Sequence, residues 1–207
     1  MSLEQPDYTV VHREGDVEYR QYDSYLVSET LINDADDFKA AANEGFRRLF
    51  RYIAGGNESR SKIAMTAPVQ QTRDQGSEKI AMTVPVQQAS SDEGWRVAFM
   101  LPSKYTLETA PEPRDPRVQV REVPGGLVAA LRFSGRYTGK NFAKKKRVLL
   151  ASIEEQSVKP VGQLQSAMYS APYMPPFLRR NEVLVEVDRL PATAQAQAPL
   201  RQAAAGH

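Results

Sequence analysis

The 207-residue sequence predicts an α+β fold with a predominantly antiparallel sheet and two long helices. Three observations predict it. Short runs rich in β-branched and aromatic residues occur in both halves of the chain. Two stretches switch to the helical period. The order strand–strand–helix–strand occurs twice, and a decapeptide near the middle is repeated almost unchanged.

Tyr8–His12, Val17–Tyr22 and Tyr25–Leu31 read as strands, punctuated by Glu14-Gly15-Asp16 and Asp23-Ser24. The period then changes: Phe38, Ala42, Phe46, Leu49 and Ile53 recur every three or four residues, one stripe of an amphipathic helix. Asn33–Asp37 supply capping oxygens at its start, and Gly55-Gly56 permit the left-handed residue that ends it. Next, Lys62-Ile-Ala-Met-Thr-Ala-Pro-Val-Gln-Gln71 returns as Lys79-Ile-Ala-Met-Thr-Val-Pro-Val-Gln-Gln88. In extended geometry Ile63, Met65, Ala67 and Val69 share a face, as do Ile80, Met82, Val84 and Val86. Thr72–Glu78, with Gly76, reads as the hairpin loop between them. Pro68 and Pro85 belong at an edge, a strand end or a bulge, because neither can donate to a ladder. Trp95–Leu101 is a further strand, stopped by Pro102.

The second half repeats this order. Val118–Arg121 and Leu127-Val128 correspond to Val17–Arg20 and Leu26-Val27, and Phe142, Leu149, Leu150 and Ile153 mark a second helix. The last extended runs are Gln165–Tyr169 and Glu182–Val187. These elements make one domain, residues 6–190, in two halves of about 7–101 and 117–188. The Ala-, Gln- and Pro-rich stretch 191–207 reads as a disordered or mobile tail.

Composition narrows the chemistry. The chain has no cysteine and only two histidines, His12 and His207. Disulfides, thiolate zinc sites, cysteine nucleophiles, a HExxH helix and a Ser-His-Asp triad are all excluded. A net charge of +2 argues against dedicated nucleic-acid binding. The one basic run, Lys144–Arg147, points around a helix rather than forming a stripe, and reads as a solvated face. No apolar run is long enough to span a bilayer. Residues 1–6 form no apolar leader, so the cytoplasm is favoured, though an upstream signal or anchor would change the compartment. A monomer is expected.

The sequence resembles the SOUL family of haem-binding proteins over residues 7–188. The resemblance rests on Val17-Glu-Tyr-Arg-Gln-Tyr22, Lys62-Ile-Ala-Met-Thr-Ala-Pro-Val69 with its copy, Phe99-Met-Leu-Pro102, Phe133-Ser-Gly135 and Arg179-Arg-Asn-Glu-Val183. It implies a distorted antiparallel β-barrel of two similar halves. It also implies binding of haem or related tetrapyrroles in an apolar cleft, as a non-catalytic carrier or buffer. Some members carry a proposed axial histidine where this chain has Gln21, and an amide is a poor iron ligand. The resemblance therefore implies non-covalent haem held by apolar contact, without a histidine ligand and without any protein metal site.

A porphyrin needs an apolar slot with cations at its rim. Phe46, Leu49, Phe50 and Ile53 would form one wall, Met65 and Met82 would supply adaptable thioethers, and Arg60, Lys62, Lys79 and Arg179 would meet propionates. For each apolar residue the default alternative is ordinary core. Phe50 and Tyr52 discriminate best, because they lie off the main stripe. His12 is read as a surface or hydrogen-bonded residue rather than an iron ligand. Asn181 is expected to brace the proline-rich loop before it, and Glu182 to pair with an arginine. Two other readings stand beside this one. The first is GyrI-like binding, or hydrolysis, of other small hydrophobic molecules in a cleft between the halves with a buried carboxylate such as Glu182 or Glu186. The second is a protein-interaction module using the helix face or the proline-rich loop.

Overall fold

The computed structural model describes residues 3–74, 94–170 and 173–194. Among the described residues the nine strands are β1 (Tyr8–Glu14), β2 (Val17–Tyr22), β3 (Tyr25–Ile32), β4 (Val69–Asp74), β5 (Gly94–Met100), β6 (Val118–Val123), β7 (Gly126–Phe133), β8 (Gln165–Met168) and β9 (Asn181–Glu186). Helix α1 (Phe38–Ile53) follows β3, α2 (Gly139–Glu155) follows β7, and a 3-10 turn (Pro176–Leu178) precedes β9. The strands form one curled half-barrel sheet in the order β1-β2-β7-β9-β8-β4-β5-β3-β6, antiparallel throughout. Strand β2 pairs with β7 and β3 with β6, so each half contributes to the other's edge. No helix among the described residues is long and apolar enough to cross a membrane.

The alternation of each strand turns one set of side chains under the helices. Helix α1 lies over β3, β5 and β6, enclosing Leu26, Ile32, Leu49, Ile53, Ile63, Val97 and Phe99. Helix α2 lies over β7 and β9 and encloses Tyr19, Leu131, Phe142, Leu149, Ile153, Val183 and Val185. Phe38 joins the two cores, with its ring 5.2 Å from Phe142 and 5.8 Å from Trp95.

Both helices start where capping chemistry directs. The Asp37 carboxylate accepts from Ala40 N at 2.8 Å, and the Thr138 hydroxyl accepts from Asn141 N. Helix α1 gives way at Gly55, whose φ of +112° suits only glycine. The buried line of α1 is Phe38, Ala41, Gly45, Leu49, Tyr52 and Ile53, one residue round from the expected stripe, which leaves Ala42 and Phe46 half-buried. The reason is close approach: a Cβ on Gly45 would lie 2.5 Å from the Val97 side chain, so small residues face the sheet. On α2 the basic run does point around the helix. Lys146 turns inward to donate to Leu164 O at 3.1 Å, Lys145 lies 5.8 Å over the Phe133 ring, and Lys144 and Arg147 are exposed.

The first decapeptide differs from a plain hairpin arm. Its ladder begins only at Val69, after a cis Ala67–Pro68 bond, and continues through Thr72–Asp74, which were expected in the loop. Residues 62–67 belong to no strand and are anchored singly: Ile63 N donates to Ile53 O, Ala67 N to Glu4 O, and the Thr66 hydroxyl to Met100 O. The second copy, Lys79–Gln88, and tail residues 195–207 lie outside the described residues.

Candidate functional site

The outer side of α1 carries the apolar surface. Phe46 is half-buried and Phe50 is 48% exposed; their rings stack at 5.8 Å and 11° between planes, with Phe99 closing edge-on under Phe46 at 5.3 Å. Met65 is half-buried against the same core cluster. The other off-stripe residue, Tyr52, points inward: its hydroxyl donates to Pro111 O at 2.7 Å, and burial pushes its pKa up to about 12. Leu49 and Ile53 are enclosed beneath the helix at 0% and 5% exposure.

A rigid loop brings cations off the end of this helix. Asn57, fully buried, donates to Tyr52 O and Ser61 O and accepts from Ser61 N and the Ser59 hydroxyl. Arg60, at φ 52°, and Lys62 stand exposed on the loop so fixed. Arg179 lies elsewhere in the chain order, in the loop before β9. It donates to Met174 O at 2.7 Å and covers the Tyr137 ring at 4.5 Å. Met82 and Lys79 lie outside the described residues.

His12 Nε2 lies 3.3 Å from Glu14 Oε2, which accepts from it, and the ring is 5.8 Å from that of Tyr19; its side chain is only 10% exposed. It is therefore hydrogen-bonded, as expected, and half-buried. Gln21 is exposed, its amide donating to Tyr22 O.

The opposite face of the sheet holds a charge network. Glu182, with 0% exposure, accepts from Arg20 at 2.6 and 3.2 Å, from Arg180 at 2.8 and 2.9 Å, and from the Tyr169 hydroxyl at 3.0 Å. Burial opposes its ionisation, but the two guanidiniums outweigh it and hold the carboxyl below its ordinary range. Arg20 also meets Glu18 and the Tyr22 hydroxyl, and stacks on Tyr8 at 4.5 Å. The expected pairing of Glu182 with an arginine thus involves two. Arg20 was the missing partner, and its only sequence signal is a charge on an otherwise buried strand. Asn181 donates to Gly135 O in the connection from β7 to α2 rather than to the proline-rich loop, which Gly135 N itself reaches at Pro176 O.

Three hollows border these features. Beside Tyr22, Tyr25, Gln70 and Tyr169, between the halves, is a cavity of only about 60 Å³. A drug-sized ligand needs roughly 300–1,000 Å³. A groove of about 500 Å³ runs over Leu26, Met100, Leu101 and Tyr105, and its lining includes Asp7, Asp23, Glu108 and Glu122 but no lysine or arginine. A third, also about 500 Å³, is polar and holds Glu29, Arg48, Arg96 and Arg117. The first is too small for a tetrapyrrole, the second repels propionates, and the third lacks an apolar wall. The outer side of α1 carries two stacked flat rings, and the loop that follows the helix carries the exposed Arg60 and Lys62.

The family model described as SOUL heme-binding protein matches residues 3–186. The chain belongs to the SOUL family. No curated protein gives a significant match. Among solved structures, the EcmrR C-terminal domain superposes with a TM-score of 0.60 at 7% identity, covering 88% of this chain and 99% of its own. An uncharacterized conserved protein from Listeria innocua gives 0.54 at 12% identity, covering 84% and 92%. A hydrolase from Listeria innocua gives 0.52 at 10% identity, covering 86% and 94%. At these identities the likeness is one of fold. The SOUL chain shares with all three an α+β architecture built on a curled sheet.

Proposed function

We propose that this SOUL protein binds haem or a related tetrapyrrole non-covalently, as a carrier or buffer without a catalytic step. The observation that carries the reading is the parallel Phe46–Phe50 pair, with Phe50 half in water. An exposed, flat apolar platform matches a planar macrocycle, and stacking on it adds about 0.5–1.5 kcal/mol beyond area burial. Met65 would adapt to the disc edge, and Arg60 and Lys62 would meet the propionates. Leu49 and Ile53 support the platform from beneath. Bound haem would supply iron chemistry, but His12 is engaged with Glu14 and Gln21 offers only an amide, so apolar capture carries the binding. The alternative cleft between the halves receives less support, since its cavity is about 60 Å³. Adding haemin should give a Soret band that saturates near one haem per chain. Linear, unsaturable adsorption would remove the proposal.

The same reading treats the chain as one domain of two similar modules with a separate tail from residue 191. Strand order supports it: β2-β7-β9-β8 from one side is matched by β6-β3-β5-β4 from the other. A protein-interaction role is favoured by one observation, the exposure of Tyr173, Phe177 and Leu178 at 90%, 75% and 62% in the loop before β9.

A further inference from the structure

The acid-rimmed groove is not used by the tetrapyrrole reading, and its chemistry is the opposite. Its floor is Leu26, Met100 and Leu101, each at most 9% exposed, and its walls are Tyr25, Tyr105 and Leu107. The carboxylates of Asp7, Asp23, Glu108 and Glu122 stand exposed around this apolar floor. Among the described residues none of the four forms an ion pair or accepts a side-chain hydrogen bond from a lysine or arginine. The Lys104 ammonium sits 4.9 Å over the ring of its neighbour Tyr105, so that ring face accepts a cation.

We propose that this groove binds a small organic monocation with an apolar body, such as an aromatic quaternary ammonium. An apolar floor rewards burial of the body, and the uncompensated carboxylates and the Tyr105 face favour a positive head. The same rim rejects anionic ligands of equal size, so the site is distinct from the α1 platform. A volume of about 500 Å³ lies within the range for a drug-sized molecule. Pro6 and Tyr25 line both this groove and the small inner cavity, so a ligand head seated deeply would press on the wall between them.

The test is isothermal titration with (2-naphthylmethyl)trimethylammonium and, separately, with 2-naphthylacetate, which has the same rings and the opposite charge. The cation should saturate at one per chain, and its affinity should fall several-fold between about 0.05 and about 0.5 M salt. The anion should give no saturable heat. Asp23→Asn with Glu122→Gln should weaken the cation about fivefold. Leu107→Arg, at a position 55% exposed and so tolerant of change, should abolish its binding. Lys104→Gln should tighten it about two- to threefold by removing the competing charge. Phe50→Ala should leave it unchanged, which separates this site from the haem surface. Equal binding of both naphthyl compounds would overturn the proposal. So would cation binding that survives Leu107→Arg, or binding of a lysine-rich peptide without the naphthyl cation.

Discussion

Arg20 and Glu182, 162 residues apart in sequence, meet at 2.6 Å with 2% and 0% of their side chains exposed. The pair ties β2 to β9 across the intervening β7. Glu182→Gln leaves the buried Arg20 guanidinium with the part-exposed Glu18 for a counter-charge, a loss of up to about 3–5 kcal/mol. Urea unfolding should show a lower midpoint with an unchanged slope. A shift under about 1 kcal/mol would mean that Glu18 alone satisfies Arg20.

The same carboxyl sets an acid limb. Its folded pKa lies below the ordinary 4.5, because Arg20 and Arg180 outweigh burial. Its contribution is therefore present above about pH 4.5 and lost as pH falls through the folded value. Thermal melts from neutral to acid pH should fall less steeply in Glu182→Gln than in the wild type.

Lys146 produces a slope of the same sign at the alkaline end. Burial lowers its pKa from 10.5 to about 8, so between those values the unfolded chain holds the extra proton. Stability should rise with pH through that window, since the folded state favours the neutral amine. Lys146→Met should abolish the rise and raise stability near pH 7. Parallel pH–stability curves for both proteins would contradict this.

Gly45 lets α1 close on β5. In an exposed helix Gly→Ala would stabilise by about 1 kcal/mol. Here the new methyl would lie 2.5 Å from Val97, and overpacking of this kind costs about 1–3 kcal/mol. Gly45→Ala should be destabilising, and Val97→Ala added to it should recover little of the loss, because the Cβ that alanine keeps at position 97 itself lies 2.5 Å from the new methyl.

Periodicity made most of the fold legible. The β-rich run Val17–Tyr22, bounded by turn residues on both sides, is a strand to its end residues, and the acidic stretch before Phe38 contained the cap, Asp37. It misjudged the face of α1 by one residue, because Ala41 and Gly45 carry no hydrophobic signal and are inside for reasons of size. The run at Ile63–Ala67 had strand alternation without a ladder, its amides being taken by Ile53 and Glu4. At the site, Phe50 was legible as an off-stripe aromatic, and exposure distinguishes it from Tyr52. Leu49 and Ile53 have the same composition whether they line a slot or fill a core, so only packing separates them. Arg20 was hidden because its partner lies at the far end of the chain.

The most direct measurement is a set of haemin titrations followed by absorbance on wild type, Phe50→Ala and His12→Ala. Phe50 is half-exposed, so its loss spares the core. Phe50→Ala should weaken haemin about tenfold, while His12→Ala should match wild type in both affinity and spectrum. A Soret band that is unmoved in Phe50→Ala, or that shifts in His12→Ala, would contradict apolar capture on the α1 platform.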